Sequence, residues 1–438
     1  MTLRDALRSA IGPIYIRARL LQERIQSGVV WNPFDPEYVA DPYPAFRRLR
    51  ERDPCHYSPL TGMLVLSRYK DVDVILRDHR RFGSGQHVRR GNKPKVSTVR
   101  QAVGPALPAL DPPDHTRLRT LVERAFTPDY AEKMDNRVRS AVHALLDRAG
   151  DSNEFDLMST LAAPLPVEVI AGMIGVPPEG RKRFQAWSEL IKRMTEPRLT
   201  SGELRLTIEA AGEFDDYFAP IIDERRSAPM DDLLSRLTLA DEDGQRMTAE
   251  EIQATLRLLV MAGGEPAADL VGNGLNALLR HPQQLQLLRE QPELMPNAVE
   301  ELLRYDAPVQ IGRRYVTEEV QLGNRVMRAG SQVVVLQGGA NRDPEAFSDP
   351  DTLDVTRQGA GHMSFAQGIH RCLGAPLARL MGRVALDVLL ERFDDIHFGA
   401  RAPVYKSSFV FRGLRHLDIR VRRSSGRSFP VHPDNAPL

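Results

Sequence analysis

The sequence predicts one large domain that is mainly α with small β regions, an α+β fold organised along a central helix. Three observations predict it. Apolar residues recur at helical spacing from Tyr130 to Leu237, the run from Thr248 to His281 is apolar nearly all round, and strand-like alternation is short and confined to the two ends of the chain. No Gly/Ser-rich linker or low-complexity break interrupts the 438 residues, enough to enclose a cofactor and an apolar substrate together.

Composition narrows the function classes. A net charge of +1 argues against nucleic acid as the main partner, because phosphate binding needs a strong basic excess. Two cysteines, Cys55 and Cys372, cannot build a disulfide framework and fit a reducing cytoplasm. The N-terminal stretch mixes Leu3, Leu7, Ile11, Ile14 and Leu20 with Arg4, Arg8, Arg17 and Arg19. It has neither the uninterrupted apolar core nor the small-residue cleavage site of a signal peptide or membrane anchor, and reads as an amphipathic helix packed on the body, with a basic helix lying on a membrane surface as the alternative.

Taken in order, turn signals at 32–36 and 41–44 precede a short helix from Ala45 to Arg52, a strand from Met63 to Ser67 and a helix from Tyr69 to Asp78. From Arg80 to Leu110 no acidic residue occurs, while Arg89, Arg90, Lys93, Lys95 and Arg100 accumulate among glycines and prolines. This reads as a long solvated loop, with a lid for an anionic substrate or partner as the functional alternative. The segment 111–119 starts another helix, on which His115 and Arg119 share a face. Such a pair is ordinarily surface decoration and gains meaning only beside an anionic cofactor.

Helices at Ala141–Arg148, Pro166–Ile174, Phe184–Met194 and Gly212–Arg225 form an almost all-α middle. Leu190, Ile191 and Met194 give it an apolar edge, for which core packing is the default reading. Thr248 and Glu251 then have capping-box spacing at the head of the central helix. Midway along it come Gly263, Gly264, Glu265 and Pro266. Proline lacks the N–H that would bond the Ala262 carbonyl, so the residues predict a kink with a released carbonyl and a carboxylate beside it. That is a seat for a water or a proton-delivery group, or else a purely structural bend.

Glu301 and Arg304, at i and i+3 on a helix from Asn297 to Tyr305, can pair. Short strands are expected at Val316–Leu322, Val326–Met327 and Gln332–Leu336, turns at 340–344 and 347–350, a last helix from Pro376 to Arg392, and strands at Ser407–Arg412 and Leu417–Val421. In the stretch Phe365–Gly374 a lone Cys372 stands between two glycines where a helix begins. A thiolate there would face unpaired backbone N–H groups and a positive dipole end, which favours the anion. One anionic sulfur cannot complete a closed zinc or iron–sulfur site, but it can be the single axial ligand of a haem iron.

Several motifs in one order give the chain from Asn32 to Arg422 a resemblance to the soluble bacterial cytochromes P-450, the haem-thiolate monooxygenases. Phe365 with Gly368, His370, Cys372 and Gly374 matches the family's cysteine loop, Glu301-Leu302-Leu303-Arg304 its Glu-x-x-Arg helix, 341–350 its turn-rich approach, and Ala262-Gly263-Gly264-Glu265 its long helix over the haem. The resemblance implies a helical N-terminal extension at 1–31, a haem domain at 32–422 and a C-terminal tail at 423–438. It implies haem b, with Cys372 as axial ligand, Phe365, Gly368 and Gly374 shaping its loop, and His115, Arg119, Arg314 and His370 holding the two propionates. Glu301 and Arg304 would form a buried pair supporting the cysteine loop.

By the same alignment Met194, Ala262, Gly263, Val309, Gln310, Ile311, Phe409 and the loop from Ser84 to Val103 would line a pocket for a hydrophobic small molecule such as a terpenoid, fatty acid, aromatic or polyketide. Electrons would come from a separate ferredoxin or flavodoxin and its NAD(P)H reductase, attracted by Arg117, Arg371, Arg379 and Arg383. A cytoplasmic monomer without a transmembrane anchor is expected. One position departs from the pattern: Pro266 stands where most members carry a Thr that helps deliver protons. The resemblance therefore leaves three sources of protons or oxidant, namely Glu265 through water, a substrate hydroxyl, or hydrogen peroxide in place of O2. A haem-thiolate binding or sensing protein without turnover is the remaining alternative.

Overall fold

The computed structural model describes residues 3–85, 106–127, 130, 133–150, 152–195, 199–323, 325–358 and 361–424, without the side chains of residues 3–13 and 195. The basic residues of the loop after Gly85, and all but the first two positions of the C-terminal tail, lie outside this set. The main helices are α1 (Leu3–Ser27), α2 (Tyr43–Arg52), α3 (Tyr69–Arg77), α4 (Asp114–Ala125), α5 (Asp135–Arg148), α6 (Pro164–Met173), α7 (Arg181–Ile191), α8 (Ser201–Ser227), α9 (Ala249–Arg280), α10 (Met295–Tyr305) and α11 (Ala375–Arg392).

Helix α9 is apolar on every side because it is surrounded: α6, α7, α8, α10 and α11 all pack against it. Its start is the capping box, with Thr248 accepting from the Glu251 N–H and Glu251 accepting from the Thr248 N–H. It runs unbroken through Pro266, with Val260 on one side and Ala267, Ala268, Leu270 and Val271 on the other all buried. Packing on both flanks thus holds together a helix that propensity would interrupt.

The strands of the two larger sheets are β1 (Cys55–Ser58), β2 (Met63–Leu66), β3 (Phe82–Gly83), β4 (Glu154–Asp156), β5 (Ile311–Val316), β6 (Gln332–Leu336), β7 (Phe393–Phe398) and β8 (Asp418–Arg423). One sheet has the order β1-β2-β6-β5-β3, with β2 and β6 parallel and the other pairs antiparallel. Its alternation buries both faces. Leu64, Leu66, Val333 and Val335 pack with Val72, Ile75 and Leu76 of α3, whereas Val65, Val334 and Leu336 pack with Ala45, Phe46 and Leu49 of α2 and with Trp31. A second sheet, β7-β8-β4, joins the C-terminus to residues in the middle of the chain.

Two strand expectations are corrected. The strand expected over Val316–Leu322 is in fact two elements, β5 ending at Val316 and a separate hairpin strand Val320–Leu322. Gly312, Arg313 and Arg314 hide the alternation of β5, which pairing with β6 enforces. Ser407–Arg412 is not a strand but carries a single bridge, Val309 to Phe411, while Val404–Tyr405 pairs with Leu414–His416. Helix α1 is tied to the body by Glu23, whose carboxylate accepts from the Trp31 N–H at 3.3 Å and lies 2.5 Å from His56 Nε2.

Replacing Thr248 by Ala removes the acceptor of the α9 capping box and should lower stability by about 1 kcal/mol. A lower urea midpoint with an unchanged m-value would be the signature.

Candidate active site

The cysteine loop is a tight structure forced by its backbone. Cys372 N–H donates to the Phe365 carbonyl at 2.9 Å, and Ala366 N–H to the Met363 carbonyl at 2.9 Å. Ala366 and Gly368 both have left-handed backbone, φ +54° and +72°. At Gly368 a Cβ would lie 2.4 Å from the Leu76 carbonyl oxygen, so the loop rests directly on the C-terminal end of α3 and admits no side chain there. Helix α11 follows at once, with Gly374 as its N-cap and Pro376 in its first turn.

The N–H groups of Gly374 and Ala375 bond the Cys372 sulfur and favour its anion, yet burial among protein atoms is the larger effect and pushes the thiol pKa up. The expected stabilisation by the helix end is thus present but opposed by burial, and a further positive charge at the sulfur would favour the thiolate. The side chain is exposed on its remaining face, where such a charge can approach.

Behind the loop lies a buried polar scaffold. Arg304 donates to both oxygens of Glu301, Nε at 2.7 Å and Nη2 at 2.8 Å, and both side chains are 2% exposed. The remaining guanidinium protons reach the carbonyls of Asn341, Pro350 and Thr352, and the remaining carboxylate capacity is taken by Arg357 and the Asp354 N–H. Asn341 passes the constraint on. Its amide donates to Ser364 Oγ at 2.8 Å and accepts from the Met363 N–H at 2.6 Å, and Ser364 Oγ donates to the Leu303 carbonyl at 2.6 Å. The chain entering Phe365 is thus bolted to α10.

On the loop's other side are four cationic or N–H-bearing residues from three distant segments. His115 and His370 meet edge to face with ring centroids 4.3 Å apart. Arg119 Nη1 donates to the Arg371 carbonyl at 2.8 Å, and its Nε lies 2.5 Å from Glu123. Arg314, on β5, is buried, donates to the Arg313 carbonyl and forms no ion pair with a carboxylate among the described residues. Burial and then Arg314 push the His370 pKa down to about 3, and burial and then Arg119 push that of His115 down. His115 Nε2 and both ring nitrogens of His370 are buried without a hydrogen-bond partner among the described residues. Buried donors and cations without counter-charge cost several kcal/mol, on the order of 1–3 each, unless an anionic group completes them.

On the central helix, Glu265 and Asp269 lie one turn apart, and both are bonded by Lys406 Nζ, at 2.9 and 2.7 Å. Asp269 and Lys406 were not singled out from the sequence. An acidic residue four places after Glu265 in an otherwise apolar run was the available signal for Asp269; nothing local marked Lys406, which arrives from the C-terminal segment. Among the expected pocket residues, Met194 packs on the large helical core, and a Cβ on Gly263 would meet Ile170 of α6 at 2.9 Å. Ala262 is exposed. Gln310 and Ile311 are buried, Ile311 with the Trp31 cluster, and Phe409 packs edge to face on Phe34 beside it, so these residues divide between two cores. Val309 is half-buried and pairs with Phe411.

The expected basic surface is largely neutralised: Arg117 pairs with Glu251, Arg379 with Glu300, and Arg383 with Asp135 and Asp387. Arg379 also stacks over the Phe365 ring at 4.5 Å, which makes it part of the loop's support. Among the described residues no cluster of three or more His, Cys, Asp or Glu side chains could hold a bare metal ion, and no helix is long and apolar enough to cross a membrane.

The family profile described as Cytochrome P450 matches residues 55–409. The polyketide biosynthesis cytochrome P450 PksS of Bacillus subtilis is 36% identical over 408 residues, covering 90% of this chain and 99% of its own. Its solved structure superposes with a TM-score of 0.82 at 35% identity, covering 90% of this chain and all of that one. The 6-deoxyerythronolide B hydroxylase of Saccharopolyspora erythraea is 42% identical over 314 residues, 71% of this chain and 76% of its own. The structure of P450BioI with a hexadec-9Z-enoic acid-ligated acyl carrier protein has a TM-score of 0.81 at 33% identity, covering 88% of this chain and 99% of that one. A profile that spans most of the chain, relatives aligned nearly end to end and the fold itself lead to one conclusion: the chain belongs to the cytochrome P450 family of haem-dependent monooxygenases.

Proposed function

We propose that this protein uses haem b, ligated by Cys372, to insert one oxygen atom from O2 into a hydrophobic small molecule. The observation that carries the reading is the meeting of a lone cysteine at a helix start with His115 Nε2, both ring nitrogens of His370 and the buried Arg314, none of which has a carboxylate partner among the described residues, and with Arg119, half-buried beside them and paired with Glu123. That donor set fits a flat cofactor with two carboxylate arms and one open iron coordination position. When bound, the haem supplies the oxygen chemistry, with the thiolate pushing electron density to the iron.

The chain's own residues do the rest. His115, Arg119, Arg314 and His370 would hold the propionates by charge-assisted hydrogen bonds. Phe365 and Arg379 cover the loop, Gly368 lets it rest on the end of α3, and Gly374, where a Cβ would meet nothing within 4 Å, is assigned to the close approach of backbone and cofactor. Glu301 and Arg304 fix the loop's entry through Asn341. The scaffold supports haem loading, not chemistry. Met194, Ala262, Gly263, Val309, Gln310, Ile311 and Phe409 are assigned to the substrate side. The names of two relatives, a polyketide biosynthesis enzyme and a 6-deoxyerythronolide B hydroxylase, favour a polyketide-like substrate.

Electrons come from a separate ferredoxin or flavodoxin with its NAD(P)H reductase. Because most arginines on the cysteine side are paired with carboxylates, shape and local hydrogen bonds would guide that encounter more than a basic field. Two free cysteines suit the reducing cytoplasm assigned here. Glu265 is the proton-delivering group of the distal side and Pro266 a residue that shapes the groove; a carboxyl side chain already held by Lys406 does not suit a peroxide-driven site that must bind a substrate carboxylate.

Three outcomes are expected. Carbon monoxide added to the reduced protein should give the red-shifted Soret band of thiolate ligation, lost in Cys372→Ser; an unchanged band in that variant would remove the ligand assignment. Glu301→Ala leaves a buried arginine unpaired, costs about 3–5 kcal/mol and should yield largely haem-free protein by pyridine haemochrome assay, so a fully loaded variant argues against the scaffold role. Pro266→Thr restores a hydroxyl beside Glu265 and should raise the share of NADH electrons recovered in product, with equal or poorer coupling showing that this site works around proline.

A further inference from the structure

Helix α9 has no hydroxyl at position 266, but it carries a second carboxyl one turn beyond Glu265. Asp269 is fully buried, and its Oδ2 has no hydrogen-bond partner among the described residues. Its Oδ1 receives Lys406 Nζ at 2.7 Å, and the same ammonium reaches Glu265 Oε1 at 2.9 Å. The fit is built into the backbone opposite: a Cβ at Gly413 would lie 1.8 Å from Asp269 Oδ1, so only glycine there lets this carboxyl occupy its place. Carboxylates at i and i+4 share one helix face, and nothing in core packing calls for an acid at Asp269.

We infer that Asp269, Lys406 and Glu265 form a proton relay on the distal side, in which Asp269 stores the proton, Lys406 transmits it and Glu265 presents it to the groove beside Pro266. The inference rests on the oxygen-activating reading above and names the residues that supply its protons. The step balances within the cluster. Glu265 takes a proton from the Lys406 ammonium, Lys406 recovers one from the Asp269 carboxyl, and the net charge of the three groups is unchanged. When Glu265 releases its proton into the groove the cluster carries one more negative charge, and it refills from solvent at Lys406 and Glu265, whose side chains are 28% and 21% exposed.

Electrostatics agree with a store that is occupied near neutrality. Burial, which outweighs the Lys406 charge, pushes the Asp269 pKa up to about 7, with Glu265 and Asp306 adding to the rise. Asp306 is itself held by Arg412 at 2.6 Å and by the hydroxyls of Tyr43 and Tyr405 at 2.8 and 3.2 Å. Those are the charged and titratable groups that face the pair from α10, α2 and the C-terminal segment. Lys406 is an ammonium at rest, because Asp269 and Glu265 raise its pKa more than burial lowers it, and it parts with a proton only as it recovers one from Asp269.

The test uses the haem-loaded protein and the isosteric variant Asp269→Asn, with Glu265→Gln, Asp269→Glu and the double variant D269N/E265Q beside it. Infrared difference spectra against pH should show a protonated carboxyl C=O band that titrates near pH 7, is absent in D269N and persists in E265Q. No such band in the wild type, or its persistence in D269N, overturns the proton store. This readout addresses the cluster directly and stands or falls apart from any turnover. Oxygen consumption driven by NADH through a surrogate ferredoxin and reductase, with no substrate needed, should fall on the order of tenfold in D269N, less than the ~10²–10⁴ of a directly acting acid–base group. Its solvent isotope effect should rise, D269E should restore the rate in part, and D269N/E265Q should be no slower than the slower single variant. Wild-type rate and isotope effect in a D269N protein with an unaltered carbon monoxide spectrum would refute the relay; loss of that spectrum in the wild type would instead refute the haem-thiolate reading.

Discussion

The buried ion pair between Glu301 and Arg304 is the contact on which the site's geometry depends. An isolated pair at this spacing on a helix surface is worth a few tenths of a kcal/mol. Here both groups are out of water, and the arrangement is tolerable only because every remaining proton and lone pair finds a partner on Asn341, Pro350, Thr352, Asp354 and Arg357. A satisfied buried network of this kind rigidifies, and its free ends are the backbone of Met363 and Ser364, the approach to the cysteine loop. Stability and function meet at that point: the scaffold has no chemistry of its own, but the position of the sulfur follows from it.

On the loop itself two electrostatic demands oppose one another. Burial raises the thiol pKa of Cys372 while the first N–H groups of α11 lower it, and burial prevails. The same burial depresses His370 and His115 and strips Arg314 of solvent without giving it a carboxylate among the described residues. A sulfur at which burial outweighs the nearby arginines, and buried imidazole nitrogens and an Arg314 guanidinium without a carboxylate partner among the described residues, are complementary deficits. An iron porphyrin with propionate arms would answer both at once, with Cys372 as the residue to hold its metal and His115, Arg119, Arg314 and His370 as those to hold its carboxylates.

The central helix shows how tertiary packing overrides local preference. Gly263, Gly264 and Pro266 weaken the helix locally, yet buried neighbours on both sides hold it continuous. What the proline does change is the chemistry available on that face, by replacing a hydroxyl with a ring. The structure sets beside it a lysine shared by two carboxylates, one of them fully buried.

Local signals in the sequence were enough for the helical class, the capping box at Thr248, the span of α9, the cysteine at a helix start and the spacing of Glu301 and Arg304, because each depends on residues within a few positions of one another. Strand partners were less legible: β5 was masked by Gly312 and two arginines, and β4 and β8 find each other across more than half the chain. The grouping of His115, Arg314 and His370 could be named only through a family resemblance, since they lie on segments that the fold alone brings together. Lys406 was invisible for the same reason. Short-range physics determined what each segment is; burial, charge pairing and the loss of solvent, which exist only once the segments are packed, decided what the side chains do.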